Sequence, residues 1–183
     1  FTPVVDKYFR VKSQRGNVGD ALIMGVESLT ELNLDRLIWK NNASIDLSLF
    51  FNFSTINSEY VRSDEPGIEG KKVEFIPTHN YKLGTRFGFK NFYTSLQLTS
   101  VGEQFSDASN AVEGTLSGVI GKIPSYQIID LSANYLFGKF KIETGINNLA
   151  NEIYFTRRAT GYPGPGIIPS PPRNYYITIQ FMP

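Results

Sequence analysis

The sequence contains no cysteine in its 183 residues, which excludes a disulfide scaffold, a thiolate metal site and a cysteine nucleophile. It has one histidine, His79, so neither a multi-histidine metal site nor a Ser-His-Asp triad has support. The 18 basic and 17 acidic residues nearly balance and are scattered along the chain, so nothing indicates a nucleic-acid partner. We therefore expect no enzyme activity, no catalytic residues, no metal site and no cofactor.

Long apolar runs are also missing. None approaches the roughly 20 residues that a membrane-spanning helix needs. The chain begins at Phe1 without an initiator methionine, and the residues that follow lack the basic and apolar regions of a signal peptide. We interpret it as a mature fragment whose N-terminal part is absent.

Aromatic residues and alternating patterns are abundant. The aromatic content is 14%, with 14 Phe and 10 Tyr, which favours strands. Many segments alternate apolar and polar residues with the period of two that a strand requires. In residues 43–55 the apolar set is Ile45, Leu47, Leu49, Phe51 and Phe53, and Phe50 is the one large apolar residue on the polar side. Such segments predict about eight strands, near residues 4–13, 20–34, 43–59, 79–89, 92–102, 125–137, 140–155 and 173–182.

The connections alternate between very short and long. Residues 89–92 and 137–140 each join two strands through about two turn residues, whereas segments rich in Gly, Pro, Ser, Asp and Asn occupy 61–78, 103–124 and 156–172. Greek-key crossings of a soluble sandwich would break this parity. An outer-membrane barrel has short turns on one side and long loops on the other. We predict an all-β, antiparallel up-and-down transmembrane β-barrel, with a soluble antiparallel barrel or sandwich as the alternative.

Aromatic residues also gather near the predicted strand ends, as in the two interfacial girdles of a membrane barrel. The girdle predicted at the short-turn side comprises Phe87, Phe89, Phe92, Phe137, Phe140 and Phe181. The one predicted at the long-loop side comprises Tyr60, Tyr81, Tyr154 and Phe155.

The segment 146–173 combines stiffening prolines and flexible glycines with two adjacent arginines, Arg157 and Arg158. Their guanidinium groups can offer bidentate donors to an anionic ligand such as a carboxylate or a metal chelate. The competing interpretation is that they bind lipopolysaccharide phosphates or neighbouring loop carbonyls. We take Arg157, Arg158 and Tyr162 as candidate ligand-binding residues.

Several motifs resemble those of TonB-dependent outer-membrane receptors. One set of residues in this chain resembles the family's penultimate-strand motif: Asn147, Asn148, Leu149, Asn151 and Tyr154. Residues 16–27 resemble an upstream strand of the family in which a glycine is followed by Gly-Val-Glu. Residues 123–131 resemble the first of the family's last four strands. The stretch 156–166 is most similar to the ferric-dicitrate receptor branch.

The resemblance implies that residues 1–183 are the C-terminal part of the receptor's β-barrel domain. They would form about the last eight strands of a barrel of about 22, without the N-terminal plug domain and the earlier strands. It further implies a location in the bacterial outer membrane, among lipid and lipopolysaccharide, and contact with TonB through the absent plug region.

The function implied for the intact protein is TonB-dependent active transport of a ferric chelate, such as a dicitrate-like siderophore. The sequence leaves other siderophores, sugars and cobalamin open as ligands. The alternative is a self-contained, eight-stranded outer-membrane barrel with a structural or adhesive role.

Overall fold

A computed structural model describes residues 2–5, 7–9, 11–14, 17, 19–38, 44–161 and 164–183. In this part of the chain strands dominate, and one short helix, α1 (Leu34–Ile38), interrupts them. The strands are β1 (Thr2–Val5), β2 (Val11–Gln14), β3 (Gly19–Asn33), β4 (Ile45–Ser63), β5 (His79–Phe89), β6 (Phe92–Val101), β7 (Gln104–Phe105), β8 (Lys122–Ile123), β9 (Tyr126–Phe137), β10 (Phe140–Asn147), β11 (Phe155–Ala159), β12 (Gly166–Pro169) and β13 (Asn174–Phe181).

Seven strands form one antiparallel meander in the order β13-β10-β9-β6-β5-β4-β3. Every neighbour in this sheet is also the next long strand along the chain, as an up-and-down barrel wall requires. Three small two-stranded sheets, β1-β2, β7-β8 and β11-β12, lie outside it. In the described residues β3 and β13 are the two edges and do not pair with each other, so the seven strands form an open wall.

The strand register gives this wall one apolar and one polar face, because directly paired residues point to the same side of a sheet. One rung on the apolar face runs through Leu49, Thr85, Leu96, Leu131, Ile146 and Tyr175. The adjacent rung on the polar face runs through Ser48, Arg86, Ser95, Ser132, Gly145 and Tyr176. The alternation is weakest on β3, where Leu29 pairs with Asn52 and Thr30 with Phe51.

The apolar face is open to its surroundings. Leu83, Ile177 and Ile179 are 49%, 70% and 67% exposed, and they belong to the apolar face that β4, β5, β6, β9, β10 and β13 share. Soluble monomers rarely expose patches of that extent. This face therefore requires an apolar environment. None of the described helices is long and apolar enough to cross a membrane.

Glycines on the polar face make room for aromatic rings. A Cβ atom added to Gly84 would lie 2.3 Å from Cζ of Phe50, because the Phe50 ring rests on the bare backbone of its cross-strand partner. The Arg86 guanidinium also lies over that ring, 4.8 Å from its centroid, and reaches Glu31 at 3.2 Å. This contact explains why a phenylalanine occupies the polar side of β4. Gly145 accommodates Tyr176 in the same way, with its added Cβ 2.5 Å from the tyrosine ring.

The predicted short turns are confirmed. Lys90, which has a positive φ of 54°, joins β5 to β6 together with Asn91, and Gly138, with a φ of 59°, joins β9 to β10 together with Lys139. The connection from β3 to β4 contains α1, which the alternation did not predict.

Three predictions about individual segments are corrected. The strand predicted at 4–13 is two strands, β1 and β2, paired with each other in a hairpin apart from the main sheet. The strand predicted at 140–155 ends at Asn147, because Asn148 and Asn151 both adopt positive φ values. Tyr60, predicted to lie in an interfacial girdle, is 6% exposed and shares the polar face with Ser58.

Candidate ligand-binding cleft

Three long loops meet at one end of the wall because antiparallel neighbours return the chain to the same end. We name them loop A (64–78, between β4 and β5), loop B (102–125, between β6 and β9) and loop C (148–173, between β10 and β13). Loop B contains β7 and β8, and loop C contains β11 and β12. Backbone and side-chain hydrogen bonds connect each loop to the next.

Loop A folds back on the end of β4. Tyr60 N–H donates to Lys71 O at 2.8 Å, and Gly70 N–H donates to Tyr60 O at 2.9 Å. The Tyr60 hydroxyl donates to Glu74 Oε2 at 2.7 Å. Tyr60 lies seven residues beyond Phe53, where the apolar set of β4 ends. Burial, followed by the Glu74 carboxylate, raises the pKa of Tyr60 to about 12, so the phenol remains a donor at neutral pH.

Loops A and B are joined mainly through Asn110. Its Oδ1 accepts from Lys72 N–H at 2.7 Å and its Nδ2 donates to Lys72 O at 2.8 Å, so one amide side chain pairs with the backbone of the opposite loop as a strand would. Asn110 adopts a φ of 54°, a conformation that asparagine tolerates better than most residues. Phe75 N–H also donates to Phe105 O at 2.8 Å.

Loops B and C are joined by Arg158. Its NH1 donates to Gly118 O at 2.8 Å, and its NH2 and Nε donate to Lys122 O at 2.9 and 3.3 Å. The guanidinium also lies over the Phe155 ring, 5.1 Å from the centroid. The fork of donors is thus used to bind two backbone carbonyls of loop B. Such contacts agree with the interpretation that assigned Arg158 to neighbouring loop carbonyls.

The base of loop C is organised by two asparagines. Asn148, 3% exposed, accepts from Glu152 N–H at 2.8 Å through Oδ1 and donates to Glu152 O at 2.9 Å through Nδ2. Its own backbone N–H donates to Asp130 Oδ1 at 2.9 Å. Asn151 Oδ1 accepts from Arg173 N–H at 3.0 Å and so connects the start of the loop to its end.

These loops enclose an open cleft of about 960 Å³, within the size range of small-molecule sites. Its lining combines the charged residues Glu65, Glu74, Asp107, Arg157 and Arg158 with the apolar residues Ile68, Phe75, Val119 and Ile120. Among the residues that the structure describes, none forms a hydrogen bond or ion pair with the side chain of Arg157, which is exposed. Its donors are therefore open to a ligand in the cleft.

The structure brings two of the three candidate residues to this cleft and separates their roles. Arg157 faces the open volume, and Arg158 is occupied by loop B. Tyr162 lies outside the described residues. Sequence reasoning did not assign a role to Asn110, although an asparagine in a Gly- and Ser-rich loop is a common side chain to cap backbone groups. Asn148 belongs to the motif that resembles the family's penultimate strand, but its contacts could not be predicted because they depend on the fold.

Within the described ranges, no group of three or more His, Asp or Glu side chains is close enough to hold a metal ion. The groups that line the cleft offer hydrogen bonds, charge and apolar contact.

A model of the TonB-dependent receptor-like β-barrel family matches residues 2–149. Solved structures of similar fold agree. The ferric citrate transporter FecA in its unliganded form matches 86% of this chain at 24% identity, with a TM-score of 0.76. The ferric yersiniabactin uptake receptor FyuA from Yersinia pestis matches 90% at 19% identity, with a TM-score of 0.68. The copper transporter OprC matches 89% at 18% identity, with a TM-score of 0.64.

At these identities the likeness establishes the fold alone. The matched region is 23% of FecA, 24% of FyuA and 24% of OprC, so this chain spans about a quarter of the length of each. The names of the three proteins refer to two ferric chelates and to copper.

Proposed function

This chain belongs to the TonB-dependent receptor-like β-barrel family, and from that premise we propose that the intact protein takes up a ferric chelate by TonB-dependent active transport. Members of the family are receptors and transporters of the bacterial outer membrane, not enzymes. The chain is accordingly an outer-membrane protein, with its apolar face toward lipid and its polar face toward the lumen. Loops A, B and C then face the outside of the cell.

The observation that carries the proposal is the free guanidinium of Arg157 in a preorganised cleft. A dicitrate-like ferric chelate presents carboxylates on its surface, and an arginine fork binds a carboxylate through two parallel hydrogen bonds. Because Arg158 and Asn110 hold the neighbouring loops in position, little additional ordering is needed when the ligand binds. Tyr162, five residues along loop C, is a further proposed contact.

Two partners complete the proposal. Lipid and lipopolysaccharide surround the apolar face, and TonB acts through an N-terminal plug region that is not part of residues 1–183. The alternative, a self-contained barrel of eight strands, requires the first and last strands of the wall to pair. In the described residues β3 and β13 are unpaired edges, which favours a wall that continues into further strands.

The test is equilibrium binding to the receptor expressed from its complete gene and purified from the outer membrane. Isothermal titration calorimetry with ferric dicitrate should give about tenfold weaker binding for Arg157→Ala, since a charge-assisted hydrogen bond contributes about 1.5–3 kcal/mol and exposure reduces that value. Arg157→Lys should fall between the two, because it retains the charge and loses the fork.

Arg62→Ala is the matched control. Arg62 lies at the same end of the wall, is 78% exposed and pairs with Asp20, but it does not line the cleft. Its removal should leave the dissociation constant unchanged. Wild-type affinity in Arg157→Ala would remove Arg157 from the site, and failure of the wild-type receptor to bind any ferric chelate would refute the proposed cargo class.

A further inference from the structure

A fully polar chelate would leave the apolar part of the ligand cleft unused. That part of the lining consists of Ile68, Phe75, Val119 and Ile120. Ile68 is buried, whereas Phe75 is 47% exposed and Ile120 is also exposed. Small-molecule sites combine apolar and aromatic surface with a few polar groups. The exposed part of this lining is therefore surface that a ligand can cover.

Phe75 is held in a backbone conformation that phenylalanine rarely adopts. Its φ is 58°, in the left-handed region where a Cβ atom crowds the following carbonyl oxygen, and glycine or asparagine adopts it at lower cost. Two hydrogen bonds hold the turn in place. The Phe75 N–H donates to Phe105 O at 2.8 Å, and the preceding residue, Glu74, accepts from the Tyr60 hydroxyl at 2.7 Å. Strain of this kind persists where the surrounding structure imposes it, and it is concentrated at functional sites.

The Phe75 ring has no aromatic or cationic partner within the described ranges, where neither a second ring nor a guanidinium or ammonium group stacks on it. Phe155 in loop C differs, because the Arg158 guanidinium lies over its ring. A strained turn thus places an uncovered ring in the lining of the same cleft as the open guanidinium of Arg157.

We propose that Phe75 determines the specificity of the cleft, and that the preferred cargo is a ferric chelate that carries an aromatic ring as well as a carboxylate. The ring packs on Phe75 and Ile120, and the carboxylate binds Arg157. Contacts between aromatic rings contribute beyond the apolar area that they bury, so a ring gains more on Phe75 than an aliphatic group of equal size. The inference rests on the proposed function, since it names the chemical class of the chelate that the same cleft takes up.

The experiment compares two probes by isothermal titration calorimetry on the full-length receptor. One is ferric dicitrate, which has no ring, and the other is the ferric complex of dihydroxybenzoylglycine, whose catechol binds iron and whose carboxylate is free. Phe75→Asn removes the ring and accepts the positive φ. It should weaken binding of the aromatic chelate about tenfold, or about 1.4 kcal/mol, and leave that of ferric dicitrate unchanged. Its Tm should equal or exceed that of the wild type, because the strain is relieved.

Leu116→Ala is the control, since Leu116 is a fully exposed apolar residue of loop B that does not line the cleft. It should bind both chelates as the wild type does. Arg157→Ala should weaken both. Phe75→Leu keeps the apolar bulk without the ring, so it should lose part of the preference for the aromatic chelate.

A Phe75→Asn receptor that keeps the wild-type preference between the two chelates, or loses affinity for both equally, would overturn the role of Phe75. A lower Tm with an unchanged preference would show that the ring packs within the receptor instead. If Phe75→Asn does not fold, an unchanged preference in Phe75→Leu decides against the proposal. A wild-type receptor that binds neither chelate would refute the proposed function as well, whereas binding of both without any effect at Phe75 refutes the specificity role alone.

Discussion

Substitution of Asn148 should open the base of loop C locally. Asn148→Ala removes two short side-chain hydrogen bonds, to Glu152 N–H and Glu152 O, each contributing about 1 kcal/mol, and a longer one of 3.4 Å to Pro171 O. It also places alanine at a φ of 54°, which asparagine tolerates better than alanine does, and this costs about 1 kcal/mol. The total of about 3 kcal/mol corresponds to about a hundredfold increase in the opening equilibrium.

Hydrogen exchange of the Glu152 amide in the full-length receptor measures this opening directly, because exchange follows the population of the open state when reclosure is fast. Asn148→Gly separates the two contributions. Glycine accepts the positive φ, so only the hydrogen-bond part, about 2 kcal/mol, should remain. Exchange in Asn148→Ala within threefold of wild type would refute the role assigned to this side chain.

Three other substitutions test the remaining contacts. Arg158→Ala should detach loop B from loop C and speed amide exchange around Gly118, whose carbonyl it binds, while leaving exchange in β5 unchanged; protection at Gly118 equal to wild type would contradict this. Gly84→Ala should lower the free energy of unfolding by about 1–3 kcal/mol in denaturant titration, because its Cβ meets the Phe50 ring. The same Gly84→Ala change should cost less when it is made in the Phe50→Ala protein. An equal loss in both backgrounds would show that the two residues do not interact. Ile177→Arg should cost about 2–4 kcal/mol when the receptor is reversibly unfolded from lipid vesicles, whereas Thr178→Arg, on the lumenal face of the same strand, should cost far less; the reverse order would invert the assignment of the faces.

The wall could be predicted from sequence because its determinants are local. A strand that separates lipid from a lumen must alternate with a period of two, and residues 79–89 do so throughout. The hairpin turns are visible in the same way, since Gly138 supplies the left-handed conformation that a tight turn requires. The regular alternation of short and long connections then predicted that strands adjacent in the sequence are also neighbours in the sheet.

The loops could not be predicted because their contacts are distant in sequence. Arg158 meets Lys122 O across 36 residues, and Asn110 meets Lys72 across 38. Both arginines of loop C looked equivalent in the sequence, and only the fold shows that one is bound to loop B while the other faces the cleft. Tyr60 was misassigned for a related reason, since its partner Glu74 lies in loop A.

The most direct test of the proposed function is uptake of radioactive iron by a receptor-deleted strain that carries the complete gene. Ferric dicitrate uptake should be restored with intact TonB and should disappear in a TonB-deficient strain that displays the same amount of receptor. No uptake of ferric dicitrate or of other ferric chelates, despite normal receptor at the cell surface, would contradict the proposal.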